Sequence, residues 1–211
     1  MTVLTWLVIG LACIVVAIVL TGVIARTHAS PCPSWLRWLL DIPATRRRTF
    51  TPVLERLALS PGLRVLDIGC GYGRLTIPIA RLVLPGGEVV GVDIQEAMLS
   101  IARERLEKSG LANLSFRRAA AGEGALGPGR FDRALLVTVL GEIPRKLEAL
   151  REVRNVLAPG GFLSITEFLP DPHYQSVGKV RRLAAEAGFR EVAYFGNVFG
   201  YTLNLGSAAN P

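Results

Sequence analysis

Three glycines at alternate positions follow a carboxylate in Asp67-Ile68-Gly69-Cys70-Gly71-Tyr72-Gly73, and a second carboxylate, Asp93, comes twenty residues after Gly73. Glycine at such points lets the main chain adopt positive φ and lets a ligand approach it closely. An acid ending the following strand can accept hydrogen bonds from both hydroxyls of a ribose, so the spacing points to an adenosine-containing ligand. Two other glycine loops do not fit. The dinucleotide fingerprint Gly-x-Gly-x-x-Gly would need glycine where Arg74 stands, and a P-loop needs a Lys-Ser/Thr pair after its glycines. Groups able to move a proton fall later in the chain, at Glu142, Glu167, Asp171, His173 and Tyr174.

The elements around these residues alternate between strand and helix, which predicts an α/β domain with a mostly parallel sheet. Short apolar runs predict strands at 64–68, 88–93, 114–118, 131–139 and 162–168, with a terminal hairpin at 191–195 and 198–205 turning at Gly196-Asn197. Helices are expected at 52–59, 75–84, 95–108, 145–157 and 174–187. In the third of these, Met98, Ile101, Ala102 and Leu106 share one face, and Gly110 follows as a stop. On this reading the glycine loop joins the first strand to a helix, and Asp93 ends the second strand.

Taken together, Asp67 to Gly73, Asp93, the strand Phe131-Asp132-Arg133-Ala134-Leu135-Leu136-Val137 and the run Leu157-Ala158-Pro159-Gly160-Gly161-Phe162-Leu163 resemble the ordered motifs of class I S-adenosylmethionine-dependent methyltransferases, most of all the quinone- and phospholipid-methylating branch. The resemblance extends from about Thr51 to Leu205. It implies a Rossmann-like, seven-stranded, mostly parallel sheet with an antiparallel last strand, and S-adenosyl-L-methionine as cofactor. It further implies that Gly69, Gly71 and Gly73, with Cys70 between them, face the methionine part of that cofactor, that Asp67 lies near its amino group and that Asp93 holds the ribose. One position departs from the pattern. The family often ends its third strand with an acid near the adenine amino group, where this chain has Ala119-Ala120-Ala121. Adenine is then expected to rely on main-chain groups and apolar contacts, Ile94 and Ala120 among them.

A sulfonium is already a good electrophile, so methyl transfer needs chiefly alignment and desolvation, and a base only where the acceptor has a proton to lose. Glu142, His173 and Tyr174 are the candidate catalytic groups; the alternative for Glu142 is a helix cap and for His173 a solvated loop residue. No metal site is expected. After the fourth strand the chain reads Thr138-Val139-Leu140-Gly141-Glu142, not the Asn/Asp-Pro-Pro-aromatic run of enzymes that methylate bases or amides, and no interleaved aromatic–basic motif is present. Nucleic acid is therefore not the expected partner.

Outside the domain the sequence points to a membrane. Residues 3–25 carry no charge, and as a helix they would extend roughly 34 Å, against a hydrocarbon core of about 30 Å. A cleaved signal peptide is the rival reading, but no Lys or Arg precedes the run and its length exceeds the usual apolar core of such peptides. Arg26, Arg37, Arg46, Arg47 and Arg48 follow it, which by the positive-inside rule places the rest of the chain in the cytoplasm. The expected organisation is a single-pass transmembrane anchor at 1–27, a juxtamembrane amphipathic linker at 28–48 whose Trp35 and Trp38 suit the headgroup level, and the catalytic domain at 49–211. A net charge of +7 would favour anionic headgroups or simply solubilise the surface. The three cysteines, Cys13, Cys32 and Cys70, suggest no pairing scheme, consistent with a reducing compartment. The acceptor expected is a lipid or another membrane-associated molecule, either a phospholipid amine or an isoprenoid quinone. A soluble acceptor and a non-catalytic cofactor-binding or scaffold module stand as the alternatives.

Overall fold

The structure, a computed structural model, describes Trp6 and residues 50–169 and 171–207. Among the described residues no helix is long and apolar enough to cross a membrane. The expected span at residues 3–25 lies, Trp6 apart, outside them, as does the whole linker at 28–48.

The domain alternates α1 (Thr51–Arg56), β1 (Arg64–Ile68), α2 (Thr76–Leu82), β2 (Glu88–Asp93), α3 (Glu96–Ser109), β3 (Leu114–Arg118), β4 (Phe131–Val137), α4 (Lys146–Val156), β5 (Leu157–Phe168), α5 (Val177–Glu186), β6 (Phe189–Asn197) and β7 (Gly200–Ser207). One seven-stranded sheet results, in the order β3-β2-β1-β4-β5-β7-β6, with only β7 running against its neighbours. The expected Rossmann-like sheet is what the chain forms. Its central strands are near-continuous apolar runs because both faces are covered. Phe50, Val53, Leu57, Ile79 and Val83 pack on one face with α1 and α2, while Ala149, Leu150, Val153, Val180 and Ala184 of α4 and α5 pack on the other. Each fully buried aliphatic side chain of these layers contributes about 1.5–3 kcal/mol.

Strand order reverses between β1 and β4, so the loops leaving β1, β2 and β4 diverge from one point on the sheet edge. In open α/β sheets this divergence opens a crevice where ligands bind. Gly110 ends α3 at φ 68°, which glycine adopts without a Cβ penalty.

Several boundaries differ from the sequence expectation, each for a local reason. β4 stops at Val137 rather than 139 because Thr138 takes φ 56°, outside any strand conformation. β5 begins at Leu157, which pairs with Phe131 ahead of a bulge. α5 begins at Val177 and not at 174, since side chains claim the main chain before it: Asp171 Oδ1 accepts the His173 N–H at 2.7 Å, and the Gln175 amide donates to the His173 carbonyl at 2.7 Å. The terminal hairpin forms, but it turns at Val198-Phe199, two residues beyond the expected Gly196-Asn197. Asn197 Oδ1 accepts the N–H groups of Phe199 and Gly200 and so fixes the turn.

Candidate active site

At the divergence point lies a cavity of about 340 Å³, in the size range of small-molecule sites. Its floor is the β1–α2 loop. The N–H groups of Gly69 and Cys70 both donate to the Val92 carbonyl, at 2.8 and 3.0 Å, which ties the loop to the end of β2. Gly69 and Gly71 take φ 71° and 54°, and a Cβ on Gly71 would meet nothing within 4 Å. That open side is where a ligand can lie against bare backbone.

Asp93 organises this loop as well as facing the cavity. One carboxylate oxygen accepts the Gly71 N–H at 2.9 Å, and the other accepts the Gln95 N–H at 2.8 Å. Each oxygen keeps further acceptor capacity, as two neighbouring ribose hydroxyls would require. Asp67, 4 % exposed, accepts the Thr76 hydroxyl at 2.6 Å. Burial pushes its carboxyl up to about 7; the Thr76 hydrogen bond opposes the shift, and the Asp93 charge adds to it. Two carboxylates in one cavity wall favour a ligand that carries positive charge.

Asp67, Gly69, Cys70, Gly71, Asp93, Ile94 and Ala120 all line the cavity, so the structure brings together seven of the eight residues expected to hold a cofactor. The eighth, Gly73, is a correction. It is not part of the wall, and a Cβ there would come within 2.9 Å of the Phe116 ring. Its glycine is needed for close helix–strand packing under the loop. Cys70 is buried against both acids, which together with desolvation push its thiol up and leave it unreactive.

The candidate catalytic residues divide. Glu142, in the turn Leu140–Glu142, reaches the cavity wall. His173 and Tyr174 do not, which corrects their placement. The Asp171 and Gln175 bonds fold their loop against the back of the Glu142 turn, where the His173 carbonyl occupies the place that a Cβ on Gly141 would take. Tyr174 stacks edge-on with Tyr201, ring centroids 6.0 Å apart. This loop braces the site from outside.

Behind the brace lies Glu167, 1 % exposed, with Oε1 unpartnered and Oε2 accepting the Gln175 N–H at 3.3 Å. Burial raises its carboxyl to about 8, with Asp171 and Glu142 adding to the rise. For both Glu167 and Asp67 the folded state holds its proton more tightly than the unfolded chain. Stability therefore falls as pH climbs from the ordinary carboxylate range toward about 7 for Asp67 and about 8 for Glu167.

Sequence reasoning missed other parts of the wall. Thr138 and Val139 follow β4 directly, and their position at a strand end beside the divergence point was the available signal. Thr138 is β-branched yet left-handed at φ 56°, held by its N–H to the Thr166 carbonyl at 2.8 Å. Such strain is concentrated at functional sites. Glu123, three residues beyond Ala120, also lines the cavity and returns an acid to the third-strand loop.

Residues 59–190 match the model of a family described as a methyltransferase domain. The arsenite methyltransferase of Aquipseudomonas alcaligenes is 36% identical, across 81% of this chain and 49% of that protein. The ubiquinone/menaquinone biosynthesis C-methyltransferase UbiE of Azotobacter vinelandii is 36% identical, across 69% of this chain and 52% of that protein. The chain thus spans about half the length of these curated relatives. In fold it is similar to the crystal structure of a SAM-dependent methyltransferase from Aquifex aeolicus, with a TM-score of 0.75 and 24% identity over 82% of this chain and 98% of that one. The chain belongs to the family of S-adenosylmethionine-dependent methyltransferase domains.

Proposed function

We propose that the domain binds S-adenosylmethionine in the cavity between Asp67, Asp93 and the glycine loop and transfers its methyl group to a lipophilic, membrane-associated acceptor, a phospholipid amine or an isoprenoid quinone. The observation that carries the cofactor half is the pair of carboxylates: Asp67 is buried with no ion-pair partner among the described residues, and Asp93 is fixed by two main-chain N–H groups with acceptor capacity to spare. These residues fit the cofactor. Asp93 would hold the ribose hydroxyls and Asp67 the cationic amino-acid end. Glu123, Ile94 and Ala120 would border the adenine, with Glu123 in the role of the acid absent from positions 119–121.

When bound, the cofactor supplies a methyl group already activated on sulfur. The chain's own task is to orient the acceptor and exclude water. Val139, Ile143 and Pro144 give the wall apolar surface beside Glu142. Glu142 is the group placed to take a proton from an amine or phenol, whereas a carbon acceptor would need it only to restore the ring. A membrane position for the acceptor draws on the uncharged run at residues 3–25, on the arginines after it and on the likeness to the quinone C-methyltransferases. The uncharged run and the arginines after it also support a single-pass anchor with the domain on its cytoplasmic side.

The arsenite methyltransferase among the relatives suggests a different acceptor. Soft acceptors call for thiolate ligands. Among the described residues no group of three or more Cys, His, Asp or Glu could hold a metal ion, and Cys70 is the only cysteine there. The lipophilic acceptor is favoured by the uncharged run at residues 3–25 and by the likeness to the quinone C-methyltransferases.

Membranes containing the full chain, incubated with methyl-labelled cofactor and then extracted, are expected to yield label in the organic phase. Label confined to the aqueous phase would overturn the lipid acceptor while leaving the enzyme class intact. The cofactor assignment has its own pH signature. Asp67 carries a proton below about 7 and is then a poor partner for a cation, so cofactor affinity measured by calorimetry is expected to rise several-fold between roughly pH 6 and pH 8. Asp67→Asn is expected to bind more weakly and to lose that rise. A rise retained in the variant would remove Asp67 from the cationic end of the ligand.

A further inference from the structure

The described surface carries one concentrated apolar projection, the turn between β6 and β7. Val198 is 80 % exposed and Phe199 70 %, and Leu169, Tyr194 and Phe195 extend the patch. Apolar surface of this kind on a folded domain marks an interaction site.

Its position bears on function. Leu169 follows the C-terminal end of β5, and its N–H donates to the Phe199 carbonyl at 2.7 Å. β5 runs parallel to β4, β1 and β2, whose C-terminal ends carry Thr138, Gly69 and Asp93. The turn therefore stands on the same sheet edge as the cavity, three to four strand positions from β1, or roughly 14–19 Å at ordinary strand spacing.

Three features of the turn match a bilayer. The first is that three main-chain polar groups next to the tip are already satisfied within the protein, which lowers the cost of a low-dielectric medium. Asn197 Oδ1 accepts the N–H groups of Phe199 at 2.8 Å and Gly200 at 3.2 Å, and the Phe199 carbonyl is taken by Leu169. The second is a collar of arginines on aromatic rings behind the tip. Arg56 lies 5.3 Å from the Phe195 centroid, and Arg181, ion-paired with Glu191 at 2.7 Å, lies 4.9 Å from that of Tyr194, in a chain of net charge +7. Such side chains suit the level of anionic headgroups.

The third feature is where the chain enters the domain. Phe50 lines the cavity, and α1 follows it at once. Arg56 at the end of α1 donates to Thr202 Oγ1 of β7 at 2.8 Å, and Asn204 donates to the Arg56 carbonyl at 2.9 Å. The described domain thus begins beside the cavity and beside this hairpin, and in sequence the 23-residue uncharged run at 3–25 lies ahead of that point, with residues 26–49 between.

We propose that Val198, Phe199 and Leu169 form a wedge that enters the headgroup region of an anionic membrane and seats the cavity-bearing edge of the domain against it. The purpose of this docking rests on the proposed lipophilic acceptor; the docking itself is read separately. Apolar tip residues supply insertion, and Arg56 with the net positive charge of the chain supplies attraction, so binding needs both an interface and negative charge.

The test places an environment-sensitive fluorophore at Val198→Cys in the full chain with Cys13 and Cys32 changed to serine, and for comparison at Leu84→Cys, just ahead of the start of β2 on the opposite edge. The chain is reconstituted into vesicles of phosphatidylcholine and phosphatidylglycerol, or of phosphatidylcholine alone. The Val198 label is expected to shift to the blue and brighten severalfold in the anionic vesicles, less in the neutral ones and less at high salt, while the Leu84 label stays aqueous. An aqueous Val198 label in both vesicles overturns the proposal, as does an equal shift at both positions. A shift already present in detergent and growing with protein concentration would instead assign the wedge to a second copy of this chain. The pair Val198→Ser and Phe199→Ser is expected to lower kcat/KM on vesicle-borne acceptor about tenfold with cofactor affinity unchanged. Loss of the organic-phase label in the unaltered chain would sink the acceptor and leave the fluorescence result standing.

Discussion

Asp93→Ala is expected to weaken S-adenosylmethionine binding by at least ten- to hundredfold, measured by calorimetry at fixed pH. A hydrogen bond to a charged group contributes about 1.5–3 kcal/mol, which converts to roughly that range. The ribose contact is only part of the loss. Asp93 also accepts the Gly71 and Gln95 N–H groups, so the alanine variant frees the glycine loop and the start of α3 together. Asparagine would not be a mild replacement, because its amide nitrogen would face one of those N–H donors and set donor against donor. Asp93→Asn is therefore expected to fall at least as far as Asp93→Ala. Native-like affinity in either variant would separate Asp93 from the cofactor and remove the central contact of the proposed site.

That double role shows what could and could not be read from the chain. The strands at 64–68 and 88–93 were legible to the residue, because buried parallel strands are near-continuous apolar runs bounded by glycine, proline or charge, and the half-exposed edge strand at 114–118 was legible to the residue as well. The glycine loop and the two acids were legible for a related reason: their spacing is imposed by one strand–turn–helix unit and the strand after it. What failed to show depended on contacts between distant parts of the chain. Gly73 differs from Gly71 in what faces it, the Phe116 ring instead of the open cavity. His173 and Tyr174 sit in a loop whose course is set by Asp171 and Gln175 side chains, a competition between side-chain and main-chain hydrogen bonding that hydrophobic periodicity does not register. Thr138 was read as strand because it lies within the hydrophobic run 131–139, and its left-handed turn is held by the neighbouring β5 carbonyl. Each miss lies where tertiary structure overrides local preference.

The same logic makes Gly69 the most demanding position in the loop. Gly69→Ala is expected to lower cofactor affinity about a hundredfold and to destabilise the domain. Two costs combine. The residue sits at φ 71°, where a Cβ costs about 1–2 kcal/mol. The added carbon would also stand only 2.7 Å from Cγ1 and 3.1 Å from Cβ of Val139. Val139 cannot easily retreat: it is β-branched, and it follows Thr138, whose strained backbone is held to β5 by the 2.8 Å bond to Thr166. Combining Gly69→Ala with Val139→Ala removes the clash and leaves the backbone cost, so the double variant is expected to recover to within roughly tenfold of native affinity. Gly71→Ala separates the two costs from the other side. Its φ of 54° carries the same strain, but its Cβ would project into open cavity. Thermal unfolding without ligand should thus be less disturbed in Gly71→Ala than in Gly69→Ala, while cofactor binding is weakened in both, since in one variant the loop is displaced and in the other the new methyl occupies the ligand's place. Unimpaired binding by Gly71→Ala would mean that the ligand does not lie against this stretch of backbone, and the cavity would then need a different occupant.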